Sequence, residues 1–194
     1  DSSGKEASPT APIIFTKATT SVVGPGDVVR GSLDPTGTVD YEGELGLVIG
    51  SKAFQVSKAN AYDVIFGYVI INDLTARDLQ AKHKQWFLGK SFDTSCPMGP
   101  WIGTSDELDG ASLDVKCWVN DELRQNANTN DLIFDIPTLI ETLSQGTKLL
   151  AGDIIATGTP VGVGIGFDPP KFLKSGDEVK IEITGLGTLI NVIE

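Results

Sequence analysis

Acidic residues lead directly into an apolar run in the stretch Asp40-Tyr41-Glu42-Gly43-Glu44-Leu45-Gly46-Leu47-Val48-Ile49-Gly50. The apolar residues 45–49 predict a buried strand. Side chains of a strand alternate between its two faces, so residues two apart share a face. We therefore expect the carboxylates of Glu42 and Glu44 to project to the same side of this strand.

A second apolar run, residues 64–71, predicts another strand, and Asp73 follows its end. If the two strands are neighbours, the carboxylates of Glu42, Glu44 and Asp73 converge. Burial of carboxylates is costly unless a cation compensates their charge. All-oxygen ligand sets favour Mg²⁺, Mn²⁺ or Ca²⁺ over zinc. The pattern alone also allows a second interpretation, in which these acids lie on solvated strand ends.

Length and composition are those of an ordinary globular protein. The chain has 194 residues, of which 40% are hydrophobic and 21% are charged, which fits one domain with a substantial core. The net charge of −11 has no compensating basic stripe, so we expect neither nucleic acid nor an anionic membrane as a partner. No apolar run approaches the roughly 20 residues that cross a bilayer.

Two cysteines, Cys96 and Cys117, are too few for a disulfide framework and predict a reducing compartment. The expected location is intracellular: the mitochondrial matrix in a eukaryote and the cytoplasm otherwise.

The pattern along the chain predicts a mixed, mainly β (α+β) protein with two or three helices. Residues 1–11 are polar and predict a mobile entry segment before the domain formed by residues 12–194. Strands are predicted at residues 12–16, 45–49, 64–71, 113–119, 123–125, 153–157, 178–183 and 188–193. Helices are predicted at residues 75–84, with Thr75 as N-cap, and from Asp135 to Gly146. A passage rich in Gly, Pro and Ser, residues 89–103, is assigned neither helix nor strand.

Five motifs resemble the fumarylacetoacetate hydrolase superfamily, and they occur in the same order with matching gaps. They are YEGEL (41–45), GYVIINDLTARDLQ (67–80), QWFLGKSFDT (85–94), CPMGP (96–100) and TGTPVGVG (157–164). The resemblance covers residues 12–194. The third and fourth motifs are most similar to the domain-containing protein 2 branch, whose members are associated with oxaloacetate tautomerisation.

The resemblance implies a rolled, mainly β catalytic domain with a few short helices, usually assembled as a homodimer. It also implies a divalent ion, Mg²⁺ or Mn²⁺ with Ca²⁺ as a substitute, held by Glu42, Glu44 and Asp73. This agrees with the convergence expected from the two apolar strands.

Three carboxylates would leave about three positions on a Mg²⁺ ion for water or substrate. A 2-oxo acid can fill two of them, and an enolate formed at C3 then has its charge on an oxygen that contacts the ion. Stabilisation of an enolate serves keto–enol tautomerisation, decarboxylation and C–C hydrolysis of a 1,3-diketo acid alike. The ligand set therefore predicts a class of chemistry before it predicts one reaction.

The resemblance implies that Lys90 is the catalytic cation of this pocket. Gly89 would allow close backbone approach, and partial burial would lower the pKa of Lys90 enough for proton transfer. Arg77 and Gln80 are three residues apart and share a face of the predicted helix. The family implies that Gln80 binds substrate.

Arg77 has two interpretations, which the sequence does not separate. It either binds the substrate carboxylate or forms an ion pair with Asp78 or Asp73.

The glycine-rich loop at residues 157–164 resembles a phosphate cradle but contains no lysine and lacks the P-loop pattern. We expect instead that the Thr159 hydroxyl and the loop amides, including that of Gly158, bind the substrate carboxylate. His83 is the only histidine and is expected on the surface. With no second histidine in this chain a zinc site of the usual kind is not expected, and a histidine on the surface is not expected to serve a Ser-His-Asp triad.

Hydrolytic members of the family carry a His and a Glu on a mobile lid, and residues 1–11 contain no histidine. The lid therefore lies upstream of Asp1 or is absent. Without an activated water, hydrolysis is the most impaired of the three reactions. We predict an oxaloacetate keto–enol tautomerase that acts on small 2-oxo dicarboxylates through a metal-bound enolate.

Four alternatives stay open at this point. They are an oxaloacetate decarboxylase, an acylpyruvate or 1,3-diketo acid hydrolase, a dienedioate isomerase/decarboxylase and a metal-binding relative without catalytic activity.

Overall fold

Short strands provide most of the regular structure in the computed structural model, which describes residues 9–194. The strands are β1 (Val22–Val23), β2 (Val28–Val29), β3 (Val39–Asp40), β4 (Gly43–Ile49), β5 (Ile65–Asn72), β6 (Thr75–Ala76), β7 (Cys96–Thr104), β8 (Asp114–Val119), β9 (Glu122–Asn128), β10 (Ile154–Ala156), β11 (Glu178–Ile183) and β12 (Gly187–Ile193). The described residues also form the helices α1 (Arg77–His83), α2 (Phe87–Lys90) and α3 (Ile136–Ser144). None of these helices has both the length and the apolar content that a bilayer crossing requires. The predicted entry segment falls largely on residues 1–8, outside the described part.

Two five-stranded sheets enclose the main hydrophobic core. Their strand orders are β1-β7-β5-β4-β10 and β2-β12-β11-β8-β9, and β3 pairs separately with β6. The core joins Leu45 and Leu47 of β4 with Cys117 of β8 and Ile181 of β11, and α3 covers one side through Ile140. The predicted mainly β fold with a few short helices is thereby confirmed.

Strands β4 and β5 are neighbours, the arrangement under which the sequence predicts that the three acids converge, and they run antiparallel. Gly43 lies opposite Asn72, and the Asp73 N–H donates to the Glu42 carbonyl oxygen at 2.9 Å. All seven residues of β4 are buried, because both faces of this sheet are covered. The start of β4 and the end of β5 therefore meet at one buried point, which brings the three acids together.

Helix α1 starts two residues later than predicted, because residues 75–76 belong to a strand. Thr75 is not the N-cap: it pairs with Asp40 in the β3–β6 ladder, and its hydroxyl donates to the Asp73 carbonyl oxygen at 2.9 Å. The prediction for α3 is confirmed, since the Asp135 carboxylate accepts from the Thr138 N–H at 2.9 Å.

Residues 89–103, which the sequence assigns to neither helix nor strand, contain regular secondary structure. They include the end of α2 and most of β7, which pairs with β5 and with β1. A Cβ on Gly67 would lie 2.3 Å from the Gly103 carbonyl oxygen, so glycine permits a close contact between strands here. The strand predicted at residues 12–16 was wrong, because this segment has no ladder partner and no regular secondary structure.

Candidate metal centre

Three buried carboxylates converge where β4 begins and β5 ends. Glu42, Glu44 and Asp73 are 7%, 3% and 1% exposed, and each offers a carboxylate oxygen within 4.8 Å of the other two. Three mutually close negative charges in a buried position repel one another and lose hydration, so they require compensating positive charge.

Lysine and arginine side chains supply that positive charge. Lys90 Nζ lies 2.7 Å from Glu42 Oε2 and 2.8 Å from Asp73 Oδ2. Arg77 Nη1 lies 2.8 Å from Glu42 Oε1. Lys17 Nζ lies 2.7 Å from Asp73 Oδ1. Of the three acids, Glu44 has its carboxylate bonded instead to a main-chain amide, since the Gly158 N–H donates to its Oε2 at 2.8 Å.

The protonation of these groups follows from the charges around them. Burial raises the pKa of Glu44 well above the ordinary value, and the charges of Asp73 and Glu42 raise it further. Burial also acts to raise the pKa of Asp73, but Lys17 and Lys90 outweigh it and lower that pKa.

The pKa of Lys90 is raised, contrary to the sequence-based expectation. Burial acts to lower it, but the charges of Glu42 and Asp73 outweigh burial. The centroid of the Phe15 ring lies 5.0 Å from Lys90 Nζ, and the Trp86 ring packs on Phe15 with a centroid distance of 5.3 Å. Lys90 is therefore a buried, protonated cation in this arrangement.

The residues present fit a divalent cation with a preference for oxygen. Asp73 Oδ1 is buried and makes no hydrogen bond within the described residues, since its contact with Lys17 is an ion pair without hydrogen-bond geometry. Burial raises the pKa of the nearby Cys96 thiol to about 11, so this thiol is protonated in the metal-free protein. The trio is thus a candidate site for a hard divalent cation, with carboxylate oxygens as ligands.

Arg77 has different partners from those predicted. Its Nε donates to Asp40 Oδ2 at 2.9 Å and its Nη1 contacts Glu42, whereas Asp78 and Asp73 are not its ion-pair partners. The expectation considered only acids close in sequence to the helix. The β3–β6 pairing instead places the start of α1 beside Asp40, which is fully buried.

Gln80 and Gly89 meet where α1 packs on α2. The Gln80 side-chain oxygen accepts from Arg77 Nη1 at 3.3 Å. A Cβ on Gly89 would lie 2.6 Å from the Gln80 main-chain nitrogen, so the predicted close backbone approach at Gly89 is present. This approach holds Lys90, the next residue, against the site.

In the loop after β10, the two groups that the sequence predicts to bind substrate are hydrogen-bonded within the protein. The Gly158 N–H is bonded to Glu44, and the Thr159 hydroxyl donates to the Gly43 carbonyl oxygen at 3.1 Å. The same hydroxyl accepts from Gln125 Nε2 at 2.8 Å. The protein itself satisfies both groups, which a pattern of glycines could not reveal, and their contact with a substrate carboxylate stays a prediction.

Sequence reasoning missed Lys17, Asp40 and Gln125. Lys17 donates to the main-chain oxygens of Leu74, at 3.1 Å, and Lys90, so it contacts the site from a segment without regular structure. For Lys17, the one local feature that could have indicated this role is its position at the end of an apolar segment, PIIFTK at residues 12–17. His83 is exposed at the end of α1, as expected.

Comparison with known proteins places this arrangement in a family. Residues 2–194 match the family described as fumarylacetoacetate (FAA) hydrolase C-terminal. The chain belongs to the fumarylacetoacetate hydrolase family, which confirms the resemblance inferred from the five motifs.

Relatives and solved structures refine the comparison. The chain is 55% identical over 192 residues to the oxaloacetate tautomerase YisK of Bacillus subtilis (strain 168), covering 98% of this chain and 64% of that protein. It superimposes on fumarylacetoacetate hydrolase from Exiguobacterium antarcticum with a TM-score of 0.92 at 47% identity, covering 94% of this chain and 66% of that one. For 2-hydroxyhepta-2,4-diene-1,7-dioate isomerase from Mycobacterium marinum the TM-score is 0.86 at 41% identity, covering 95% and 69%. The chain thus spans somewhat less than two thirds of the first two relatives.

Proposed function

We propose that this protein is a Mg²⁺- or Mn²⁺-dependent oxaloacetate keto–enol tautomerase. The observation that carries the proposal is the buried trio Glu42, Glu44 and Asp73 with Lys90 between two of its members. The choice of reaction is supported by 55% identity to a protein named oxaloacetate tautomerase.

The three acids would hold the ion through carboxylate oxygens. When bound, the ion supplies polarisation of a 2-oxo carbonyl group and compensation for the negative charge that enolisation places on its oxygen. Glu44 keeps its orientation through the Gly158 N–H, and Arg77 holds Glu42 from the side of α1.

Lys90 would act on the substrate oxygens as a second positive charge. It is protonated and held within 2.8 Å of Glu42 and Asp73, so it can lower the energy of developing negative charge without reorganising. Its raised pKa favours this electrostatic role over proton transfer, which is most efficient for groups whose pKa lies near the working pH. Substrate binding by Arg77 and Gln80 stays a prediction.

Hydrolysis is less well supported than tautomerisation. It additionally requires a base that activates water, a role that none of the assignments made above includes. Tautomerisation needs no activated water, and the groups described above can provide the charge stabilisation that it requires.

The test follows the ultraviolet absorbance of oxaloacetate enol with Mg²⁺ present and measures pyruvate in parallel. We expect fast loss of the enol signal without pyruvate, and loss of this activity in Glu42→Gln. Glu182→Ala, which removes an exposed glutamate of β11, is the control and should retain it. Pyruvate release would replace the tautomerase with a decarboxylase, and equal rates in wild type and Glu42→Gln would refute the role of the acid trio.

Assembly and location are proposed on weaker grounds. A homodimer is proposed from the family resemblance alone, and light scattering of the purified protein would test it. A cytoplasmic location is supported by the bacterial origin of YisK, and that origin gives no support to the mitochondrial alternative.

A further inference from the structure

Gln125 is a fully buried amide that joins the metal-binding strand to the loop after β10. It lies on β9, and its side chain is 0% exposed. Its Oε1 accepts from the Gly43 N–H at 3.0 Å, and Gly43 lies between Glu42 and Glu44. Its Nε2 donates to Thr159 Oγ1 at 2.8 Å and to the Pro160 carbonyl oxygen at 2.9 Å.

The orientation of this amide is determined by its partners. A main-chain N–H can only donate, so Gly43 requires the amide oxygen, and a main-chain carbonyl can only accept, so Pro160 requires the NH₂ group. Both N–H groups of Gln125 are then occupied. No other orientation satisfies the same three partners.

This arrangement fixes the Thr159 hydroxyl as well. The hydroxyl has one proton, and it accepts one of the Gln125 N–H groups, so its own proton goes to the Gly43 carbonyl oxygen at 3.1 Å. A substrate carboxylate can only accept hydrogen bonds, so this hydroxyl has no proton left for it. The Thr159 main-chain N–H makes no hydrogen bond within the described residues and follows directly after the Gly158 amide that contacts Glu44.

The loop after β10 packs closely against β9. Gly162 has a φ of +108°, and a Cβ there would lie 1.9 Å from the Arg124 carbonyl oxygen. The Tyr41 hydroxyl donates to the Gly162 carbonyl oxygen at 2.6 Å. Gln125 thus anchors the part of the loop nearest the acids, while Gly162 and Tyr41 anchor its middle.

We propose that Gln125 is a positioning residue for substrate binding. It commits the Thr159 hydroxyl to Gly43 and holds the Thr159 main-chain N–H beside the acid trio, where that N–H binds the carboxylate of a 2-oxo acid. The substrate contact rests on the proposed function, whereas the anchoring of the loop does not.

The test compares Gln125→Met, which keeps length but removes all three hydrogen bonds, with Asn126→Met, which changes the exposed neighbour on β9. The first readout, amide hydrogen exchange of residues 157–159 without ligand, does not depend on activity. We expect exchange in this segment to be about tenfold faster in Gln125→Met, the factor that loss of an ordinary hydrogen bond gives, and unchanged in Asn126→Met.

The second readout separates ion binding from substrate binding. Mn²⁺ affinity, measured by electron paramagnetic resonance, should change less than about threefold, whereas oxalate affinity of the Mn²⁺-loaded protein and KM for oxaloacetate should each worsen about tenfold with little change in kcat. Thr159→Val, which removes the hydroxyl at constant size, should produce the same loosening, and its effects should not add to those of Gln125→Met.

The outcomes distinguish the two proposals. Unchanged exchange in both Gln125→Met and Thr159→Val would overturn the anchoring. Faster exchange with unchanged oxalate affinity would overturn the link to substrate. If wild type neither binds oxalate nor converts oxaloacetate, both the proposed function and the substrate contact are refuted. The exchange experiment still decides whether Gln125 anchors the loop. If Gln125→Met does not fold, Thr159→Val alone decides both parts.

Discussion

The ammonium group of Lys17 lies 2.7 Å from Asp73 Oδ1, although Lys17 belongs to a segment without regular structure and Asp73 follows a central strand. Lys17 is held there by the main-chain oxygens of Leu74 and Lys90. The segment before β1 is therefore part of the site, because it contributes one of the charges that compensate the acid trio.

Replacing Lys17 should destabilise the metal-free protein more than the metal-loaded protein. Lys17→Met leaves one oxygen of a buried carboxylate without its cation, and we expect a loss of roughly 2 kcal/mol in the free energy of unfolding with a chelator present. Saturating Mn²⁺ should reduce this loss, because the ion compensates Asp73. Urea unfolding under both conditions measures the difference. Lys52→Met, at an exposed position, is the control, and an equal loss with and without Mn²⁺ would contradict the prediction.

Replacing Lys90 should separate catalysis from ion binding. Lys90 Nζ lies 2.7 Å from Glu42 Oε2 and 2.8 Å from Asp73 Oδ2, so its positive charge opposes that of an ion held by the same two acids. We expect Lys90→Met to bind Mn²⁺ at least as tightly as wild type, while kcat falls about a hundredfold or more through loss of charge stabilisation. Titration with Mn²⁺ measures the ion affinity, and the enol assay measures kcat. Weaker Mn²⁺ binding would show that Lys90 supports the ligands instead of competing with the ion.

Removing the charge of Glu44 should stabilise the metal-free protein in a manner that depends on pH. Burial and the charges of Asp73 and Glu42 raise the pKa of Glu44 above its ordinary 4.5. At pH values between 4.5 and the raised pKa of the folded state, Glu44 keeps its proton in the folded protein and has lost it in the unfolded chain. Wild-type stability therefore falls as pH rises through this window. Glu44→Gln removes this loss.

The stability difference between Glu44→Gln and wild type should therefore be small near pH 4.5 and grow as pH rises, with a chelator present. Denaturant unfolding at a series of pH values measures it. Glu182→Gln, an exposed glutamate, should show no such trend. A difference that is constant across pH would mean that the Glu44 carboxyl is not the titrating group.

Substitution of Gly89 should displace Lys90 without touching any charged group. A Cβ there would lie 2.6 Å from main-chain nitrogen of Gln80, so α2 must move away from α1. We expect Gly89→Ala to cost about 1–3 kcal/mol and to lower kcat. Gly146→Ala is the matched control, because a Cβ at Gly146 meets nothing within 4 Å. Thermal unfolding and the enol assay test both variants, and a wild-type kcat in Gly89→Ala would contradict the prediction.

The acid trio could be predicted because it depends on local alternation and one strand pairing. Glu42 and Glu44 are two residues apart and so share one face of β4, and the apolar runs predict the two strands whose pairing brings Asp73 to them. The family motifs also placed Lys90 beside the acids. These features are encoded within short stretches of the chain.

The remaining features depend on tertiary contacts that no local pattern reports. The segment that becomes β7 looks like a loop because its glycines serve close contacts between strands, a case of tertiary context overriding propensity. Gln125 lies in a polar stretch that resembles a solvated strand, but its side chain is covered by β4 and by the loop after β10. The orientation of the Thr159 hydroxyl is determined by Gln125 and Gly43, residues distant in the chain.

Asp40 has a consequence for how members of such a family could acquire new substrates. Its carboxylate accepts from the main-chain N–H groups of Gly164 and Ile165 and from Arg77 Nε, so the backbone of the loop is fixed by a buried acid. Two side chains of the same loop face outward, since Val161 is 88% exposed and Ile165 is 48% exposed. These exposed side chains can be substituted while Asp40 still holds the loop backbone in place. Substitution of loop side chains alone could therefore change substrate selectivity and leave the ion site intact.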